Sequence, residues 1–374
     1  MDYTKIKTPC YLVEESLLRK NLEILKDIMD KTGCHILLAQ KAFSMFKTYP
    51  LIGEYLSGTA SSGLFEARLG FEEMGKENHT FSPAFKEEDF SEILKYSDHI
   101  IFNSKSQLDQ FEKEATDAGV SFGIRINPEF STQEGPAIYD PCAKGSRLGI
   151  PLSEVDEKLL KRVEGIHFHT LCEQGAEPLR DTLEVIEKKI GKYFKDLKWI
   201  NLGGGHHITK EDYNREILIE MILHLRSYGL EVYLEPGEAV ALDAGTLLTR
   251  VLDIMKGEPN IAILDTSAAC HMPDVLEMPY RPPLFGSGMP GEKKFNYRFG
   301  GPTCLAGDII GEYSFDEKLA PGSLLHFGDM AIYSMVKNNT FNGMPLPDIL
   351  YLRDNGEMEN IRQFSYQDFK ERLS

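Results

Sequence analysis

The sequence predicts an α/β protein: an eight-stranded (β/α) barrel followed by a second, mostly β domain of sandwich or barrel type. Three observations predict it. Short apolar runs rich in Ile, Val, Phe and Leu, mostly ending at Gly, Pro, Asn or Ser, recur through roughly the first 240 residues. Segments of helical periodicity fill most of the gaps between them. Beyond that point the rhythm breaks into short apolar runs among Gly- and Pro-rich stretches such as Arg281–Gly291.

The expected strands, in order, are His35–Lys41, Gly58–Ser62, His79–Ala84, His99–Asn103, Ser121–Asn127, Gly165–Thr170, Lys198–Gly203 and Glu231–Gly237. Between Glu14 and Gly33, Leu18, Leu22, Leu25 and Met29 repeat at three- and four-residue spacing, with Gly33 as the stop. Lys105–Gly119, Pro178–Leu197 and Lys210–Gly229 read the same way, with Pro178 near a start and Gly229 at an end. The Ser153–Asp156 spacing is a further cap signal. Residues 121–170 are irregular, which leaves an open doubly wound sheet as the alternative. The barrel is assigned to 12–240 and the β domain to 241–374, with the apolar run Cys10–Val13 able to join either part and residues 1–11 a candidate addition to the β domain. In the β domain, Ile261–Thr266 and Ser323–Phe327 are the clearest apolar runs.

Composition excludes several classes. Of 374 residues, 42% are hydrophobic and 26% charged, the balance of a soluble globular protein. No apolar stretch approaches the length that spans a bilayer, and Met1-Asp2-Tyr3-Thr4 lacks the start of a secretory signal. The six cysteines are scattered without a CxxC pair, which fits reduced thiols in a cytoplasm rather than disulfides or structural zinc. A net charge of −17 argues against nucleic acid and suits either solubility or attraction of a cationic small molecule.

Active sites of such barrels lie at the C-terminal ends of the strands. Those ends carry Lys41, Asn103, Asn127, His169, the run Gly203-Gly204-Gly205 and Glu235. A lysine against apolar surface loses its proton readily and can form a Schiff base, whereas an isolated one normally snorkels at the rim. Three glycines admit backbone N–H groups close to a phosphate, though a tight turn alone also explains them. Glu235 could hold the protonated ring nitrogen of a cofactor, or pair with a basic neighbour at the rim. His167 and His169 share a strand face; one could stack on such a ring, and a satisfied core histidine is the simpler reading of His167. Cys304, in a Gly-Pro turn, could donate a proton or be a small buried apolar residue. Asp308 is either a ligand or a turn residue.

Together these residues resemble the alanine-racemase-like (fold type III) pyridoxal-phosphate decarboxylases, the group of ornithine, arginine and diaminopimelate decarboxylases. The resemblance runs from about Thr8 to Phe341. Within the group it is closest to the carboxynorspermidine (carboxyspermidine) decarboxylases, carried by Leu38–Ser44, His167–Glu173, Leu264–Asp274 and Gly301–Asp308. It implies pyridoxal 5'-phosphate on Lys41, with His169 stacked on the ring. It also implies that Gly203, Gly204, Gly205 and Tyr333 hold the phosphate, Glu235 the pyridine nitrogen, and Arg147 lies near the cofactor. It further implies a cytoplasmic homodimer in which Cys304 reaches the partner's site and protonates Cα after carbon dioxide leaves, in polyamine biosynthesis.

Three departures set the chain apart from the ornithine and diaminopimelate enzymes. Glu238 follows Glu235-Pro236-Gly237 where they carry Arg, His169-Thr170-Leu171-Cys172-Glu173 replaces a His-Val-Gly-Ser-Gly-like run, and Leu305 follows the cysteine in place of an acid. Carboxylates that could receive substrate amines are Glu238, Asp274 and Asp308, with Arg281 for the substrate carboxylate; each could equally serve a structural ion pair. Other readings are a diaminopimelate or ornithine/arginine decarboxylase, a metal-dependent barrel hydrolase using His167, His169, His206, His207 and Glu235, and a non-catalytic cofactor-binding protein.

Overall fold

The computed structural model describes residues 3–135 and 137–374, so the start at Met1 and Asp2 lies outside the described residues. Eight parallel strands, His35–Ala39, Gly58–Ser61, Glu77–Phe81, His99–Phe102, Ser121–Asn127, Gly165–His167, Trp199–Asn201 and Glu231–Leu234, pair each with the next. Glu231–Leu234 then pairs back onto His35–Ala39 and closes the ring, which removes the open-sheet alternative. Ser121–Asn127 has the bounds predicted, and the other strands are shorter than the apolar runs predicted. The last residues of those runs (Lys41, Thr170, Gly203, Gly237) are irregular backbone, as βα loops at a barrel mouth are.

Side-chain size sets the floor of this barrel. Trp199 projects inward, and a Cβ built on Gly165 or Gly123 would lie 2.0 Å or 2.4 Å from its indole. The two glycines are therefore what admits the ring, and the indole N–H donates to Ser121 Oγ at 3.0 Å. His99 stacks on the same indole with centroids 5.0 Å apart, and Leu37, Ile101 and Tyr233 complete the packing.

The outer helices follow amphipathic spacing with local adjustments. Glu15–Thr32 buries Leu18, Leu22, Leu25 and Ile28, so Ile28 rather than Met29 completes the stripe. It stops at Gly33, whose φ of +70° lets its N–H return to Met29 O. Lys105–Asp117 is capped by Ser104. The helix expected over Pro178–Leu197 starts at Ala176 and ends at Ile190, with a 3-10 turn over Gly191–Asp196. The last begins only at Arg215, because Asn214 supplies the cap. Asp156, not Ser153, caps the four-residue helix Glu157–Leu160.

One compact unit is Asn21–Val240; the other joins Ala241–Ser374 to the N-terminal residues through Lys20. The second unit is an eight-stranded mixed sheet centred on Gly245–Met255, which pairs with Cys10–Glu14, Asn260–Leu264 and Leu324–Phe327. Cys10–Glu14 also runs parallel to Asp348–Leu352. Its core is aromatic: Phe299 stacks on Tyr313 at 5.2 Å, and Phe327 meets Tyr313 edge-on. Among the described residues, no helix is long and apolar enough to cross a membrane.

Candidate active site

Lys41 sits in the turn after its strand, where Ala42 N–H closes onto Ala39 O at 3.1 Å. Its side chain remains accessible while protein surrounds it on most sides, and this enclosure, with the Arg125 guanidinium nearby, lowers its ammonium pKa. Glu235, Glu66 and Glu238 act in the opposite direction and lose. A rim lysine free in solvent would show no such shift.

Glu235 is the electrostatic centre of the mouth. Its Oε1 accepts from Asn201 Nδ2 at 2.7 Å, and its Oε2 lies 3.3 Å from His167 Nε2. Burial pushes the carboxyl up, but the imidazoles of His167 and His79 and the Asn201 amide outweigh it and hold Glu235 at about 2. Burial, with Arg125 and Lys41 nearby, lowers His167, so it serves as a neutral donor through Nε2. Phe81 stacks on His167 at 5.7 Å, and the Arg125 guanidinium lies over the Phe81 ring, 4.6 Å from its centroid. Arg125 also donates to His169 O at 3.0 Å.

The glycine run is forced by close approach. Cβ atoms at Gly203, Gly204 and Gly205 would lie 2.4, 2.1 and 1.9 Å from the carbonyl oxygens of Phe168, Glu235 and Leu171. The Gly203 N–H donates to Asn201 Oδ1 at 2.9 Å and the Gly204 N–H to His169 Nδ1 at 3.0 Å. The His169 ring is thereby fixed over the loop, and burial and the Lys41 and Arg125 charges keep its pKa well below the ordinary histidine value. Glu238, at the head of a four-residue helix, lies 2.8 Å from His207 Nε2.

The remaining predicted residues lie apart from this cluster in the chain. Arg147 is exposed, and its carbonyl accepts from Asn103 Nδ2 at 2.8 Å. In the β-sheet unit, Tyr333 adopts φ +54° ahead of the short helix Ser334–Lys337. Cys304 is an exposed free thiol whose N–H points to Asn342 Oδ1. Asp274 pairs with Lys337, which also pairs with Glu277. The Arg281 guanidinium lies over Tyr313 at 4.7 Å, with Nη1 buried and without a hydrogen-bond partner. Asp308 differs from an available ligand: it is buried and accepts from Ser267 Oγ at 2.9 Å, Thr303 Oγ1 at 2.7 Å and Ala269 N at 3.2 Å. Those bonds brace the cysteine turn against the helix Ala268–His271.

Comparison with known proteins gives these features a family. A match to the family described as "Pyridoxal-dependent decarboxylase, C-terminal sheet domain" runs over residues 10–331. The chain belongs to the pyridoxal-dependent decarboxylases. The carboxynorspermidine/carboxyspermidine decarboxylase of Campylobacter jejuni is 44% identical, covering 99% of each chain. The carboxyaminopropylagmatine decarboxylase of Synechocystis is 40% identical over 99% of this chain and 96% of that protein. The crystal structure of the Campylobacter jejuni carboxynorspermidine decarboxylase complexed with norspermidine has a TM-score of 0.90 and 44% identity, covering 98% of this chain and 100% of that one. Helicobacter pylori diaminopimelate decarboxylase complexed with L-lysine shares the fold, with a TM-score of 0.84 at 19% identity over 99% and 98% of the two chains.

A decarboxylase of this family works with pyridoxal phosphate, and the barrel mouth fits that group. An amine of lowered pKa, an ionised buried carboxylate and a Gly-rich loop are gathered there, and Thr170 Oγ1 and His207 Nδ1 are buried without hydrogen-bond partners. The metal-hydrolase reading fails on the same geometry. His167 is bound to Glu235, His207 to Glu238 and His169 to Gly204, so their lone pairs do not converge. Among the described residues, the one histidine–acid group close enough to suggest an ion is Glu77, His79 and His99, at the opposite ends of the strands. There the two imidazoles lie tilted with centroids 4.0 Å apart, and both Nε2 atoms face Glu77 Oε1, at 3.0 and 3.8 Å, so the acid already serves as their shared partner.

Two members of the mouth escaped the sequence reading. Arg125 is a charge inside the apolar strand Ser121–Asn127, and its two-residue spacing from Gly123 and Asn127 marks the inward face. Asn201 shares a face with Trp199 by the same rule, but asparagine in a strand end gives no signal of its own.

Proposed function

We propose that this decarboxylase acts on carboxynorspermidine and carboxyspermidine, releasing carbon dioxide and leaving norspermidine or spermidine, in the cytoplasm. The observation that carries the reading is Glu238, an acid at the barrel mouth beside Lys41 and Glu235, where the ornithine and diaminopimelate enzymes have arginine. A chain of amines needs carboxylates to receive it, and the Campylobacter jejuni relative, similar over the whole length, is named for these substrates. In this reading Glu238 and Asp274 receive amines, Asp274 exchanging its Lys337 partner. Arg281, with its unpaired Nη1, receives the substrate carboxylate before it leaves. Asp308 keeps a bracing role, holding the turn that presents Cys304.

When bound, pyridoxal phosphate supplies the electron sink for the bond to the departing carboxylate. The chain's residues do the rest. Lys41, of lowered pKa, gives up its proton more readily than a free lysine, offers its amine for covalent attachment and takes the place back when product leaves. Glu235, ionised and held by Asn201 and His167, keeps the ring nitrogen protonated. His169 would cover the ring, and the glycine loop, Tyr333 and Arg147 would hold the phosphate end. Cys304 delivers a proton to Cα from the second subunit of a homodimer.

The test is carbon dioxide release by the cofactor-loaded protein from carboxynorspermidine, carboxyspermidine, carboxyaminopropylagmatine, meso-diaminopimelate, ornithine and arginine, each alone. Selective turnover of the first two supports the proposal. Preference for carboxyaminopropylagmatine, which the Synechocystis relative's name favours, would move the substrate while leaving the chemistry. Turnover of diaminopimelate or ornithine alone would overturn the role given to Glu238.

A further inference from the structure

Glu235 and the glycine loop come from different strands, yet one side chain holds both. Asn201, fully buried at the end of Trp199–Asn201, donates from Nδ2 to Glu235 Oε1 at 2.7 Å and accepts the Gly203 N–H on Oδ1 at 2.9 Å. The amide can sit only one way round. Reversed, its oxygen would face the carboxylate and its NH2 group would face a donor. A second, longer contact supports that orientation from below: Nδ2 lies 3.5 Å from His79 Nδ1, and His79 Nε2 lies 3.0 Å from Glu77 Oε1. The barrel floor thus backs the mouth through Glu77, His79 and Asn201, with every member fully buried except Glu77.

We propose that Asn201 is a positioning residue of the decarboxylation: it fixes the ring-nitrogen carboxylate and the phosphate loop at a set separation and keeps Glu235 ionised. This rests on the cofactor reading above. A buried carboxylate resists ionisation unless hydrogen bonds to it compensate, and the Asn201 amide gives Glu235 its shortest one. The clasp also spans the two ends of the cofactor, so its loss acts on affinity as well as rate.

The experiment compares Asn201→Ala and Asn201→Asp in the full chain, reading pyridoxal-phosphate affinity from the visible absorbance on titrating stripped protein, and kcat and KM across pH. In Asn201→Ala the donor is gone. Affinity for the cofactor should fall roughly tenfold to a hundredfold, the range set by a hydrogen bond to a charged group. The acid limb of kcat should move up by about one pH unit or more as Glu235 protonates earlier, with KM little changed. Asn201→Asp should behave differently. With one proton shared between the two carboxyls, the hydroxyl of the introduced carboxylic acid replaces the lost donor, so the acid limb stays. A new basic limb should appear where that proton leaves. A role in packing alone predicts lower stability in both variants with unmoved limbs and cofactor affinity, and that result overturns the proposal. Should Asn201→Ala not fold, absence of the new basic limb in Asn201→Asp is decisive by itself. Wild-type protein that takes up no pyridoxal phosphate would instead refute the cofactor reading.

Discussion

Removing the charge of Glu235 should change the acid stability of this protein in a way that can be calculated. The carboxyl is held at about 2 in the fold against an ordinary 4.5. At about 1.4 kcal/mol per pH unit this is worth about 3 kcal/mol at neutral pH. A depressed carboxyl contributes fully above its unfolded value and loses its contribution as pH falls towards its folded one. Wild type should therefore shed this increment between pH 4.5 and 2. Glu235→Gln has no such proton to bind. The stability difference between wild type and Glu235→Gln, from urea unfolding at a series of pH values, should be level from pH 7 to 5 and narrow by about 2 kcal/mol by pH 3. Other carboxyls titrate equally in both proteins and cancel. Parallel curves over that range would refute the claim that the imidazoles and Asn201 keep Glu235 ionised. The site would then need another source for the charge that faces the ring nitrogen.

Other outcomes follow from the same geometry. Lys41→Ala should abolish turnover while pyridoxal phosphate still binds without a covalent bond, seen as loss of the borohydride-reducible adduct; a fully active variant would end the assignment. Cys304→Ala should slow product formation by roughly a hundredfold or more with cofactor affinity unchanged, and an unchanged rate removes Cys304 from the proton transfer. Gly165→Ala puts a Cβ 2.0 Å from the Trp199 ring and should lower stability by about 1–3 kcal/mol in thermal unfolding. Asp308→Ala strands the buried donor of Ser267 and the half-buried donors of Thr303 and Ala269. It should cost about 2–4 kcal/mol and impair turnover through the Cys304 turn, whereas loss of substrate affinity with intact stability would return Asp308 to the substrate site.

Much of this protein was legible in the chain because its governing signals are local. Short apolar runs ending at turn residues placed all eight barrel strands, and their ends located Lys41, His169, the glycines and Glu235, since a barrel gathers every strand's C-terminal end at one mouth. The short motifs around those ends carried the family. Element ends were less legible. Asn214 delays a helix to Arg215, and the non-helical backbone of Ile190 ends one early, through caps and backbone angles that periodicity does not encode.

Tertiary structure alone decided which partner each side chain meets, because those partners lie tens of residues apart in the chain. Nothing near Asp308 foretells that Ser267 and the Ala269 N–H will consume its oxygens. Nor does anything beside Glu235 announce that Asn201 and His167 will hold it ionised. The same holds for the floor: Gly123 and Gly165 carry no signal of their own in the chain, and Trp199, from a third strand, fills the space they leave. Sequence sets which groups line the barrel; closure of the barrel sets which of them touch, and the contacts fix the charge state of Glu235.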